Sequence, residues 1–101
     1  MPARYYLDPN GAEMGRMQGQ PGRGHYEIGQ EHLAENGIVP RDFEDVYRQM
    51  FRLRFARIVE HDNNTVEVEH GPDLTAAQER VVEQFRRAGK TVVQTRARIV
   101  Q

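Results

Sequence analysis

The strongly apolar residues of this chain crowd into its last two thirds. Nineteen of the 22 Leu, Ile, Val and Phe residues lie between Ile38 and Val100, whereas seven of the nine glycines lie between Gly11 and Gly37. That pattern predicts a Gly-rich arm over residues 1–24, carrying a short N-terminal strand or hairpin, and a folding core over residues 25–101.

Local signals divide the core further. Ala3-Arg4-Tyr5-Tyr6-Leu7 reads as a short strand, and Asp8-Pro9-Asn10-Gly11 has the residues of a type I turn. Glu13 to Met17 is a weaker return strand. His25 to Glu35 reads as a helix despite Gly29, and Asn36-Gly37 stops it. Asp42 can cap a second helix, on which Phe43, Val46, Tyr47, Met50 and Phe51 fall on one face. Phe55 to Glu60 and Thr65 to Glu69 form a hairpin around Asp62-Asn63-Asn64, with Val66 and Val68 inward. Thr75-Ala76-Ala77-Gln78 is a capping box opening a third helix that Gly89 ends. Ala77, Gln78, Val81, Val82, Phe85 and Ala88 line its inner stripe. A last strand follows Lys90, with Val93, Thr95, Ala97 and Ile99 on one face and Arg96 and Arg98 on the other.

The element order implies an α+β fold: a small mixed sheet with two to three helices on one face, in a single two-layer domain. The last strand is expected to pair parallel to a hairpin strand, because a helix intervenes. The expected core is Phe43, Val46, Tyr47, Met50, Phe51, Phe55, Ile58, Val66, Val68, Val81, Val82, Phe85, Val93 and Ile99. The arm holds only Leu7 of the strongly apolar set, with Tyr5, Tyr6, Met14 and Met17. That is too little for a core of its own. The strand at Ala3 to Leu7 is therefore expected to dock on a sheet edge, in its own chain or across a homodimer.

Composition narrows the chemistry. With 101 residues the chain is one domain. It has no cysteine, which excludes disulfides, thiolate zinc sites and cysteine nucleophiles and favours a cytoplasmic setting. It has no serine, the commonest hydroxyl nucleophile. No apolar run approaches the roughly 20 residues that span a bilayer, so no membrane is expected. A net charge of −1 argues against bulk binding to nucleic acid.

Charge is segregated, however. Gln84 to Gln101 carries Arg86, Arg87, Lys90, Arg96 and Arg98 with no acid, and Glu60 to Asp73 carries five acids with no Lys or Arg. The cations form a basic strip for nucleic acid or an acidic protein, or else Arg96 and Arg98 pair with Glu67 and Glu69 across strands. Arg23, in the Gly-rich loop before the first helix, and His25 at that helix's start are candidates for holding an anion. His25, His32 and Glu35 share a helix face and suit a metal, although beyond the two histidines no strong ligand follows at a set spacing. The plainer reading of these groups is a flexible loop and a solvated helix face. His61 and His70, flanked by Glu60, Asp62, Glu67 and Glu69, read as a charged hairpin tip.

Met14-Gly15-Arg16-Met17, Gly24-His25-Tyr26-Glu27-Ile28-Gly29 and Asp45-Val46-Tyr47-Arg48-Gln49-Met50-Phe51, leading into Phe55-Ala56-Arg57-Ile58-Val59, resemble short accessory domains encoded by phages and mobile elements. Arg54 departs from the Gly that such segments often carry before the strand. The resemblance implies no catalytic residues; it implies a binding or inhibitory role in a phage–host setting.

The expected function is thus a non-enzymatic protein-interaction module with a protein partner and no cofactor. The alternatives are nucleic-acid binding through the C-terminal basic strip and a small metal-dependent enzyme.

Overall fold

The structure, a computed structural model, describes residues 3–17 and 23–97. The elements run β1 (Ala3–Leu7), β2 (Glu13–Met17), α1 (Arg23–Glu35), α2 (Phe43–Arg52), β3 (Ala56–Glu60), β4 (Thr65–His70), α3 (Ala76–Arg87) and β5 (Thr91–Arg96). The strands form one five-stranded mixed sheet in the order β2-β1-β3-β4-β5. All pairs are antiparallel except β4–β5, which is parallel and joined through α3. The fold is α+β, as expected, and the parallel closing strand is present.

Turn and cap chemistry explains the element ends. Asp8 accepts backbone N–H bonds from Asn10 at 3.1 Å and Ala12 at 2.6 Å through Oδ1, and Gly11 takes φ +84°. The β3–β4 turn ends on Asn64 at φ +67°. Asp42 caps α2 by accepting from the Asp45 N–H at 2.8 Å. Both halves of the Thr75–Gln78 capping box are formed.

All three helices end in the same double bond. After α1, Ile38 donates to Leu33 and Gly37 to Ala34; after α2, Phe55 donates to Met50 and Arg54 to Phe51; after α3, Lys90 donates to Phe85 and Gly89 to Arg86. These are Schellman ends, which place one residue in the left-handed region. Glycine fills that place after α1 and α3, but Arg54, at φ +66°, fills it after α2.

The helices do not share one face of the sheet. Tyr5, Leu7, Ala56, Ile58, Val66 and Val68 pack with Leu74 and Val82 under α3, with Val81, Phe85 and Val92 beside them. Tyr6, Leu33, Val46, Met50 and Phe55 pack together under α1 and α2. Neighbouring strand residues point to opposite faces, so Tyr5 and Tyr6 enter different clusters. The two-layer expectation is therefore corrected to three layers: α1 and α2 on one face, the sheet, and α3 on the other. Both faces of β1 are apolar, and each needs a cover.

The N-terminal arm is likewise part of the domain. β1 lies between β2 and β3, with Tyr5 opposite Ile58. Tyr6 is 1% exposed. The docking expected of residues 3–7 occurs within one chain, in an inner position rather than at an edge. β1 and β2, which precede residue 24, and β3 to β5, which follow it, belong to one sheet.

Of the expected core, Val46, Met50, Phe51, Phe55, Ile58, Val66, Val68 and Val82 are buried, while Tyr47, Val81 and Phe85 are half-buried. Val93 is 46% exposed and is no core residue. Ala88, assigned to the inner stripe of α3, is exposed. Ile99 lies outside the described residues. Tyr5, Tyr6, Leu7, Leu33, Ala56, Val59 and Leu74 are buried in addition.

Candidate functional site

β5 closes the sheet, and among the described residues no strand pairs with its outer side. Its inner side is fixed at both ends. Thr91 donates its N–H to the Asn64 carbonyl at 3.0 Å, and Ala97 donates to His70 at 2.7 Å. Alternate residues from Thr91 to Ala97 thus turn their backbone groups towards β4. Val92, Gln94 and Arg96 turn theirs outwards, away from the ladder. Asn64 also holds the approach to β5, donating from Nδ2 to the Gly89 carbonyl at 2.8 Å and accepting from Lys90 Nζ at 3.4 Å.

One face of β5 looks into a cleft of about 510 Å³ beneath α3, lined by Leu74, Ala76, Glu79, Arg80, Val82, Glu83, Arg86 and Gln94. Cations and carboxylates alternate along it. Gln94 also meets His70, Nε2 to Nε2 at 3.0 Å. The amide nitrogen of Gln94 can only donate, so the ring nitrogen is the acceptor in this contact. His70 is 6% exposed, and its Nδ1 is buried without a partner.

The other face of β5 carries Thr91, Val93 and Thr95, which are exposed and lie beside Thr65, Glu67 and Glu69 of β4. Farther in, Arg57 binds Glu69 at 3.0 Å and lies 5.2 Å from the centre of the Tyr47 ring, against α2.

The structure divides the basic residues. Arg86 and Arg87 lie 3.6 and 3.8 Å from the same carboxylate, Glu83. Lys90 caps the turn at Asn64. Arg96 stands at the far end of β5, roughly 16 Å from Thr91 at about 3.3 Å per residue. The described members of this set do not form one continuous strip. Arg98 lies outside the described residues.

The expected pairing of Arg96 with Glu67 and Glu69 does not form. The parallel register sets Glu67 opposite Val93, Glu69 opposite Thr95 and Arg96 opposite His70. Arg96 is therefore on the other face from the two acids. Glu69 is taken by Arg57, and Glu67 by His61 at 3.3 Å.

Arg23 and His25 open α1, which packs on β2, at the opposite edge of the sheet from β5. They are not brought to the Arg86–Arg96 side. His32 lies 3.6 Å from Glu35 and stacks on Phe55 with ring centres 5.9 Å apart. Among the described residues no three His, Asp or Glu side chains gather to hold a metal ion. No described helix is long and apolar enough to cross a membrane.

Gln94 and His70 join the site, although the sequence pattern did not place them there. The parity of β5 was the missing information. Val66 and Val68 lie under α3, and the register puts Val92 and Gln94 on their face. Adjacent Val92 and Val93 give no sign of which one turns inward.

What the site can do follows from its parts. It can bond an extended backbone along β5 and receive alternate side chains of that segment in the cleft. No family model matches this chain, and neither does any curated protein or solved structure.

Proposed function

We propose that the protein is a non-enzymatic protein-interaction module that adds an extended segment of a partner protein to the outer side of β5. The observation that carries this reading is the outward row of Val92, Gln94 and Arg96 on a six-residue strand, unpaired among the described residues. Exposed edges are usually blunted by proline, a bulge or an inward-pointing charge. β5 has no proline, and its register to β4 is unbroken. Strand addition draws affinity from main-chain bonds and specificity from pockets for alternate side chains. The cleft lined by Arg80, Arg86 and Gln94 supplies such a pocket. The likeness to accessory domains of phages and mobile elements makes the module an inhibitor or accessory protein acting on a host protein in the cytoplasm.

Gln94→Pro removes an outward N–H while leaving the inner ladder bonds, a place where an edge strand tolerates proline. Gln94→Ala keeps that N–H. In affinity capture from a nuclease-treated host lysate, wild type and Gln94→Ala should retain the same partner and Gln94→Pro should lose it. Equal capture by Gln94→Pro would refute strand addition. Capture that vanishes on nuclease treatment would favour nucleic acid as the ligand instead.

A further inference from the structure

A second concave site lies on the other flank of α3. Tyr5, Leu7 and Ile58 form its floor, Val81 and Phe85 one wall, and Gly11 and Glu13 of the N-terminal hairpin the other, with Glu60 in the lining. Its volume is about 220 Å³. The trough is closed at one end, where the hairpin turn meets α3: a β-carbon on Gly11 would stand 3.0 Å from the Ala77 carbonyl oxygen.

Three features define what fits. The floor is apolar and firmly held, since Tyr5, Leu7 and Ile58 are all buried. The size suits one side chain: an apolar cavity of about 150 Å³ accepts a benzene ring, and drug-sized ligands need about 300 Å³ or more. The charged side chains in the lining, Glu13 and Glu60, are both carboxylates. Neither Glu13 nor Glu60 is ion-paired among the described residues, whereas Glu69 pairs with Arg57 and Glu83 with Arg86 and Arg87.

We propose that this trough anchors a partner protein through one large apolar or aromatic side chain next to a lysine or arginine. The ring or branched chain lies over Tyr5, Leu7 and Ile58 between Val81 and Phe85. The adjacent cation meets Glu60, which stands opposite Ala3, at the other end of β1 from Glu13, which stands opposite Leu7. The inference is independent of strand addition at β5, because the two sites lie on opposite flanks of α3 and share no lining residue.

Capped tetrapeptides test it on the intact protein by titration of backbone amide resonances. The probe has the order glycine, phenylalanine, lysine, glycine. Two controls replace the phenylalanine by alanine or the lysine by glutamate. The probe should shift the amides of Tyr5, Ile58, Val81 and Phe85 saturably, and both controls should bind about fivefold more weakly or not at all, the alanine control by losing apolar burial and the glutamate control by losing a partly exposed charge pair. The double variant Glu13→Gln with Glu60→Gln should bind the probe and its glutamate control equally. Shifts confined to other parts of the fold, or equal binding of all three peptides to wild type, would overturn the proposal. Neither outcome depends on any variant folding, and neither bears on Gln94.

Discussion

Gly29 of α1 lies directly against Val46 of α2, and a β-carbon on Gly29 would overlap the Val46 side chain. The glycine that weakens α1 as a helix is what lets the two helices approach over the sheet.

Gly29→Ala should therefore destabilise the protein. Helix propensity alone predicts a gain of about 1 kcal/mol. Overpacking a buried contact costs about 1–3 kcal/mol, and Val46 is fully buried with little room to give. A net loss on the order of 1 kcal/mol is expected in urea denaturation. A gain would show that α1 and α2 can separate without cost.

Arg54→Gly should act in the opposite direction. Arg54 holds a left-handed conformation at the end of α2, where glycine serves after α1 and α3. Its side chain is exposed, so truncation removes little packing. Relief of backbone strain is worth about 1–2 kcal/mol, reduced by the greater freedom glycine has when unfolded. A rise in Tm of a few degrees is expected. A fall would mean that the Arg54 side chain contributes more than its exposure indicates.

Gln78 joins three segments of the chain. It is fully buried; Oε1 accepts from the Thr75 N–H at 2.9 Å, and Nε2 donates to the carbonyls of Asp8 at 2.9 Å and Arg54 at 2.7 Å. Gln78→Ala leaves these partners unmet and opens a cavity, at about 1–3 kcal/mol for each buried group left unsatisfied. Thr75→Ala loses the cap to Gln78 and the 2.6 Å bond to the Pro9 carbonyl, for about 1–2 kcal/mol. Calorimetry should rank Gln78→Ala well below Thr75→Ala in stability. The reverse order would show that the cap, rather than the buried amide, ties the hairpin to α3.

Acid should weaken the start of α2. The Asp45 carboxylate is held below its usual value near 3.8, first by the N–H of Arg41 at 2.9 Å and then by Gln49, Arg41 and Arg48, against the opposing effect of burial. Its folded-state pKa lies below the unfolded one. Its contribution is therefore complete above about pH 4 and fades as the pH falls from there through the lowered value. Asp45→Asn should lose stability at neutral pH and show a shallower decline below pH 4 than wild type. Parallel acid-unfolding curves would remove Asp45 from that role.

Phe85→Ala should cost less than Met50→Ala. Phe85 is half-buried beside the trough, while Met50 has no exposed surface. Full burial sets the loss for Met→Ala at about 2–5 kcal/mol. Equal losses would place Phe85 deeper than its exposure shows.

Much of this fold is written in local chemistry. Asn64, Thr75 with Gln78, Asp42 and Gly89 each mark a turn or cap by a mechanism confined to a few residues, and each stands where that mechanism puts it. Face and order are different. Tyr5 and Tyr6 serve opposite clusters, and no local signal says that both sides of β1 will be covered. Val93 was assigned inward because it alternates with Thr95, yet the register to β4 sends Val92 under α3 instead. The cations were legible as a set in sequence, but their separation depends on α3 and β5 running in opposite directions, which adjacency along the chain does not reveal. The trough near Phe85 draws on residues from 5 to 85, and only the tertiary fold assembles it.

The inner position of β1 also sets a schedule. Tyr5 finds its neighbour Ile58 fifty-three residues later in the chain. At a synthesis rate of about 5–20 residues per second, that wait lasts roughly 3–10 seconds. A lone two-stranded hairpin is at best marginally stable in water. During that interval Tyr5, Tyr6 and Leu7 stand uncovered on both sides. The same alternation that lets one strand serve two cores leaves it with two apolar faces to cover in the newborn chain, and so makes it a stretch that a chaperone could hold.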